Sequence, residues 1–215
     1  VKGRELTSQL ATRSVSGQVL IGLPCIMWLR SRYDRRHLDT VHGLLDQICE
    51  KTFDGVEYEH EQHRRVTLFK HTRFTFRRWP WWGGWLIPIE RSGTFTRKTN
   101  AIFYAPDDGE SCEGVGGRAW SKKRKVYVPG LPDLTSRSVT DAHFDDYAAR
   151  SFCSAARLKK NPPKARSLLG LPVTVGQRQW GVIVIDSVND GFREKIAVQC
   201  YDLLAPTLGS ALKGV

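Results

Sequence analysis

The chain reads as an α+β domain, an α/β/α sandwich. A central, mainly antiparallel sheet of about six strands is expected, flanked by helices. Three observations lead there. Residues 165–186, ARSLLGLPVTVGQRQWGVIVID, hold two strands around a glycine-containing turn at Gly176-Gln177-Arg178. Leu169, Leu171, Val173 and Val175 alternate with other positions, as a half-buried strand requires. Gly181 to Ile185 is apolar almost throughout, the mark of a strand covered on both faces. Two amphipathic helices bracket the remaining strands. Leu38, Val41, Leu45 and Ile48 recur at helical spacing in 36–53. Ile196, Cys200, Leu203, Leu204, Thr207, Leu208 and Ala211 share one expected face of 192–213, with a kink predicted at Pro206. The order helix, strands, helix, hairpin, helix describes a mainly antiparallel sheet with helices on its faces.

Taken in order, residues 1–35 form an N-terminal extension and a candidate juxtamembrane segment. A short polar helix around Glu5 to Thr12 leads to a break at Ser14–Gly17. The apolar run Gln18–Leu29 follows, interrupted by Pro24, and it is shorter than the roughly twenty residues of a bilayer span. Arg30, Arg32, Arg35 and Arg36 close the extension. Residues 36–215 then form one domain. After helix 36–53, Arg65 to Lys70 alternates as a strand, and Trp85–Ile89 and Ala101–Tyr104 are further strands. Lys125–Val128 is a short strand ended by Pro129-Gly130. A cap at Thr140 or Asp141 opens a helix in which Phe144, Tyr147, Ala148 and Phe152 fall at helical spacing. Lys159–Lys164 is a basic loop, and Asn189-Asp190-Gly191 turns the chain into its last helix.

Composition narrows the partners. The 215 residues are 40% hydrophobic, with seven Trp and nine Phe, and carry a formal charge of +11. That is enough apolar material for a folded core, and the charge favours acidic partners: nucleic acid, anionic lipid or a phosphorylated small molecule. Five cysteines stand at 25, 49, 112, 153 and 200. No CxxC pair exists, which excludes a zinc ribbon and a thioredoxin motif. Cys49 and Cys200 occupy apolar helical positions and read as small buried hydrophobes. A reduced, cytoplasmic setting fits, at the inner face of a membrane if the extension is juxtamembrane.

Two blocks carry a family resemblance. EGVGGRAW (Glu113–Trp120), followed by VYVPGLPD (Val126–Asp133), resembles the middle of a GAF domain, where a glycine-rich turn opens a short helix and a strand follows. Ser167 to Asp186, then Ser187, Gly191-Phe192 and the closing helix, resemble that family's last hairpin and terminal helix. The resemblance covers roughly Arg36 to Leu212. It implies a small-molecule sensor and dimerisation module, with the ligand held between the sheet and a helix-and-loop layer. On that geometry Phe103, Trp120 and Phe152 are expected to wall the ligand, and Arg118 or Arg166 to pair with its charge. Lys122 to Lys125 and Lys164 would converge nearby. A homodimer through helices 36–53 and 192–213 is expected too. The chain departs from the best-known branches: it has no Asn-Lys-x-Asp pattern, no Cys-His neighbours and no Gly-Val-Cys-Gly. No cofactor and no metal are implied.

Other motifs carry less. Cys112 follows the acidic loop Asp107-Asp108-Gly109-Glu110, the wrong electrostatic setting for a reactive thiolate. His60 and His63 have i,i+3 spacing but no evident third metal ligand. Gly114–Gly117 lacks the Gly-Lys-Ser/Thr of a phosphate-binding loop, so its glycines read as a tight turn before a helix. The hairpin insertion at 73–85, RFTFRRWPWWGGW, stands out. It sets Trp79, Trp81, Trp82 and Trp85 beside Arg73, Arg77 and Arg78, and its Pro80 and Gly83-Gly84 suggest a mobile tip. Arg77, Arg78, Trp79, Trp81 and Trp82 would meet an anionic membrane surface or unpaired bases, or the tryptophans would close the domain's own pocket. The expected function is a non-enzymatic GAF-like sensory domain for a small, anionic or nucleotide-type ligand. The alternatives are a docking module built on the Trp/Arg hairpin, with a vestigial pocket, and a thiol-based reductase of the methionine-sulfoxide type.

Overall fold

A strand that is apolar on both faces has to sit inside a sheet with cover on each side, and the chain folds around that requirement. The computed structural model describes residues 38–54, 64–93, 101–107 and 111–214. The extension 1–35, His60 and His63 lie outside these. The described strands are β1 (Arg64–Phe74), β2 (Trp82–Gly93), β3 (Phe103–Tyr104), β4 (Val126–Val128), β5 (Ser167–Val175) and β6 (Arg178–Ser187). They form one six-stranded sheet in the order β3-β2-β1-β6-β5-β4. Every pairing is antiparallel.

One face is covered by helix α1 (38–53) and, later in the chain, by α5 (Glu194–Ala211). Val41, Leu45 and Ile48 of α1 are fully buried with Val66 and Leu68 of β1, Leu169 and Leu171 of β5, and Ile183 and Ile185 of β6. The opposite face carries α2 (Gly114–Lys122), α3 (Asp141–Ser151) and α4 (Ala155–Lys160). There Val182 of β6 packs with Phe69, Leu86, Ala119 and Trp120. Alternate residues of β6 therefore feed two cores, which accounts for its apolar run.

The closing helix is rotated from its expected face. Ala197, Tyr201 and Leu208 are buried, while Leu203 is 78% exposed. Small side chains set this choice: Gly209 lies so near the β5–β6 hairpin that an added Cβ would stand 3.1 Å from the Thr174 carbonyl oxygen. Tyr201 also donates its hydroxyl to the Pro172 carbonyl at 2.7 Å. Pro206 lies inside the helix. Cys49 and Cys200 pack partly buried against this core, and burial pushes the Cys49 thiol up to about 11. Among the described residues, no helix is long and apolar enough to cross a membrane.

The glycine-rich block does two jobs where one was expected. Gly114 holds φ +74° and makes the turn. Gly116 and Gly117 lie within α2 and let it approach the sheet: a Cβ on Gly117 would meet the Tyr104 carbonyl oxygen at 2.9 Å. Gly170 of β5 answers from the other side, where a Cβ would meet both Ala119 Cβ and the Val115 carbonyl oxygen at 2.9 Å. Gly170→Val is thus expected to force helix and sheet apart. A loss of roughly 1–3 kcal/mol, the usual cost of overpacking, should appear in urea unfolding as a lower midpoint at unchanged slope.

Candidate functional site

Strand register puts a polar patch on the face turned away from α1 and α5. Arg65 of β1 stands directly opposite Asp186 of β6, and Thr67 lies between Arg91 of β2 and Val184 of β6. Residues two apart on a strand share a face, so Arg65, Thr67, Phe69, Arg91, Val184 and Asp186 line one floor. Over it stand the first turn of α2, Tyr147 of α3, Cys153, and Arg157 and Leu158 of α4. The cavity is half open to solvent and about 420 Å³, within the range that takes a small organic ligand.

Its electrostatics centre on guanidinium groups. Arg65 Nε donates to Asp186 Oδ2 at 2.8 Å, and Nη2 reaches the same oxygen. Burial works against the Arg65 charge, but the Asp186 charge and hydrogen bonds outweigh it and hold Arg65 above its ordinary value. Arg91 is pushed the other way, first by burial and then by repulsion from Arg65. Its Nε donates to Thr67 Oγ1 at 3.1 Å. Arg157 lies over the Phe103 ring, 5.1 Å from its centroid, and Phe103 packs edge-on against Phe69 at 5.5 Å. Two weakly acidic groups complete the wall. Burial raises both the Tyr147 phenol, which donates to the Ala165 carbonyl at 2.9 Å, and the Cys153 thiol.

Behind the wall sits Glu113, the residue that precedes the first turn of α2. Oε1 accepts from Arg157 and Oε2 from Arg78 at 3.0 Å. Both arginines also donate to the Ile102 carbonyl, at 3.0 and 2.8 Å. A carboxylate at this position is further favoured by the positive end of the helix dipole.

Of the residues expected to hold a ligand, Phe103 lines the cavity, whereas Arg118, Trp120, Phe152 and Arg166 do not. Arg118 sits over the Phe152 ring at 5.1 Å, away from the glycine side by which α2 meets the sheet. Arg166 pairs with Asp190 and donates to the Leu131 carbonyl at 3.3 Å. Trp120 stacks on His71, centroids 3.8 Å apart, and lines a separate cavity of about 430 Å³ with Arg73, Asp107, Lys123 and Gln179. Lys122, Arg124, Lys125 and Lys164 line neither cavity. Lys125 pairs with Glu194 at 3.1 Å. Cys112 neighbours Ser121 and is not in the main cavity's wall. Among the described residues no group of His, Cys, Asp and Glu has the arrangement of a metal site.

The Trp/Arg hairpin forms as expected but departs at Arg78 and Trp85. It is the continuation of β1 and β2, closed by the Thr75 amide donating to the Trp81 carbonyl at 2.9 Å. Trp79, Trp81 and Trp82 are exposed, as is Arg77. Arg78 turns inward to Glu113, and the Trp85 indole is buried, donating to the Pro80 carbonyl at 3.0 Å. The tip is thereby pinned at its base.

Neither a protein-family model nor a curated protein sequence matches the chain. The fold, by contrast, is that of GAF domains. The GAF domain region of a protein from Geobacter sulfurreducens PCA superposes with a TM-score of 0.52 at 14% identity, covering 86% of this chain and 98% of that one. A free methionine-R-sulfoxide reductase from Neisseria meningitidis, 17% identical and covering 86% of this chain and 89% of that chain, reaches 0.43. The GAF domain of a two-component sensor histidine kinase from Bacillus halodurans, 12% identical and covering 81% and 92%, also reaches 0.43. The shared architecture is the finding; at these identities it carries no activity across.

Two outcomes follow from the geometry. Glu113→Gln leaves two half-buried arginines facing a neutral amide, and about 1–3 kcal/mol of stability should be lost in chemical denaturation. His71 is held below its usual pKa, chiefly by burial, with Nε2 donating to the Ala105 carbonyl at 2.9 Å. On acidification the unfolded chain therefore takes up this proton first. The stability neutral His71 contributes is complete above the unfolded value of about 6.5 and is lost as pH falls below it. Unfolding midpoints at neutral and mildly acidic pH should lie closer together in His71→Gln than in the wild type.

Proposed function

We propose that this domain is a sensory module that binds a small anionic ligand in the cavity between the sheet and α2–α4, and that it binds rather than transforms it. The observation that carries this reading is the wall itself: Arg65, Arg91 and Arg157 face one half-open cavity of about 420 Å³, with Asp186 as its acidic member. Guanidinium groups lining a cavity favour carboxylates and phosphates through paired, charge-assisted hydrogen bonds. An anion there would also offset the repulsion from Arg65 that, after burial, depresses Arg91. Phe69 and Phe103 add an apolar side against which the body of an organic anion would lie. Burial pushes the Tyr147 phenol and the Cys153 thiol up, which disfavours their ionised, nucleophilic forms.

The ligand contacts in this reading are Arg65, Arg91, Arg157 and Phe103, in place of Arg118 and Arg166. Signalling would run through a homodimer of helices 36–53 and 192–213, where Leu203 stands exposed on α5. A ligand acts as a signal there only if it prefers one of two arrangements of the pair.

Thermal unfolding against nucleotides, cyclic dinucleotides, dicarboxylates and sugar phosphates, at low and high salt, tests the proposal. A ligand at a hundred times its dissociation constant adds about 2.7 kcal/mol, or roughly 5–11 °C for a domain of this size. The shift should survive salt, vanish in Arg91→Gln and persist in Arg118→Gln and Arg166→Gln. Loss in the latter pair with retention in Arg91→Gln would move the site to the outer basic surface.

A further inference from the structure

The β1–β2 hairpin runs past the rest of the sheet. Pairing with β6 reaches Lys70, and pairing with β3 covers Trp85 and Leu86. Beyond those positions the two strands continue as a finger. Phe74, Phe76, Trp79, Trp81 and Trp82 form a continuous cluster on it, in ring contacts of 4.2 to 6.2 Å. Phe76 and Trp79 are 78% and 79% exposed, and Trp82 69%. Of the five large hydrophobic side chains exposed among the described residues, four sit here. Such concentration on one projection marks an interaction site rather than ordinary surface.

Charge selects the occupant. No Asp or Glu occurs between Arg64 and Ile89, and Arg73 and Arg77 are exposed beside the rings. We infer that this finger docks the domain on an anionic phospholipid surface, its rings entering the interface and Arg73 and Arg77 meeting lipid phosphates. Trp is the side chain that the water–lipid boundary favours, because its ring is apolar and its N–H polar. The geometry suits a wedge. Phe74 and Phe76 meet at 89° and Trp79 and Trp81 at 77°, so the rings stand edge to face and present no run of parallel faces. Single-stranded nucleic acid asks instead for open ring faces along a groove lined with cations. The remaining arginine of the tip, Arg78, is already engaged by Glu113 and the Ile102 carbonyl. That inward anchor fixes the direction in which the finger projects.

The experiment is co-sedimentation of the whole chain with vesicles of phosphatidylcholine alone and of phosphatidylcholine mixed with phosphatidylserine. Tryptophan quenching by brominated acyl chains is read on the same samples. The wild type should sediment with the mixed vesicles and be quenched. The combined variant Trp79→Ala/Trp81→Ala/Trp82→Ala should bind about tenfold less or weaker still and lose that quenching. Arg73→Gln/Arg77→Gln should bind about thirtyfold less, at about a factor of five per arginine. These side chains are exposed, and an unchanged unfolding midpoint shows that the variants remain folded. Equal sedimentation of the tryptophan variant, or wild-type binding without quenching, overturns the inference. So does a finger-dependent affinity for single-stranded oligonucleotides with none for mixed vesicles.

Discussion

The close seat of α2 on the sheet is the constraint on which the rest of this domain depends. Helix and strand meet backbone to backbone at Gly117 and Gly170, where no Cβ fits at ordinary distance. The two contacts are separate: Gly117 lies against the Tyr104 carbonyl of β3, and Gly170 of β5 against Val115 and Ala119 of α2, and a close-packed interior leaves no slack at either. Seated this low, α2 leaves Val115 and Trp120 to fill the two flanking cores. The first turn of α2 then forms part of a roof over the Arg65–Asp186 end of the sheet, where the floor side chains are long and polar. A helix standing farther off would leave that end open to water, and the arginines would lose the low-dielectric setting that strengthens their pairings.

A sheet covered on both faces gives polar strand residues only two fates, pairing or lining a cavity. Arg65 and Asp186 do both: they are cross-strand neighbours that pair with each other while facing the cavity. Removing two charges from water carries a desolvation cost that their attraction repays only with good geometry. Pairing in direct cross-strand register supplies that geometry without further ordering of the backbone.

Much of the fold was legible. The β5–β6 hairpin announced itself by alternation followed by a wholly apolar strand, and both bracketing helices by their spacing. The order of these elements gave the antiparallel sheet with helices on its faces, and the GAF-like arrangement rested on the resemblance of Glu113–Asp133 and Ser167–Phe192 to that family. The face of α5 was harder to read: two apolar stripes compete on it, and the choice went to the stripe containing Ala197 and Gly209, whose small size matters only once a partner surface exists. Of the five ligand contacts expected from the resemblance, Phe103 alone lines the candidate cavity. Arg65 and Thr67 alternate with Val66 and Leu68, which in a half-buried strand reads as a solvent face. The signal that this face is covered lies a hundred residues away, in Val182 and Val184 of β6. Asp186 at the end of an otherwise apolar strand was the nearest thing to a marker. Arg91 and Arg157 had none, since their positions depend on strand register and on how α4 packs, neither of which is local.

Glu113 ties the cavity wall and the aromatic finger to one part-buried group. Its carboxylate gives one oxygen to Arg157 in the cavity wall and the other to Arg78 at the root of the aromatic finger. Two arginines against one carboxylate leave this cluster positive, so negative charge is drawn towards both its ends. The arginines also share the Ile102 carbonyl, so neither can move without altering the partners of the other. Hydrogen bonds to charged groups are each worth about 1.5–3 kcal/mol, comparable to the coupling free energies by which distant sites influence one another. A connection of that size needs no long pathway here. It spans three side chains, from α4 through the start of α2 to the hairpin.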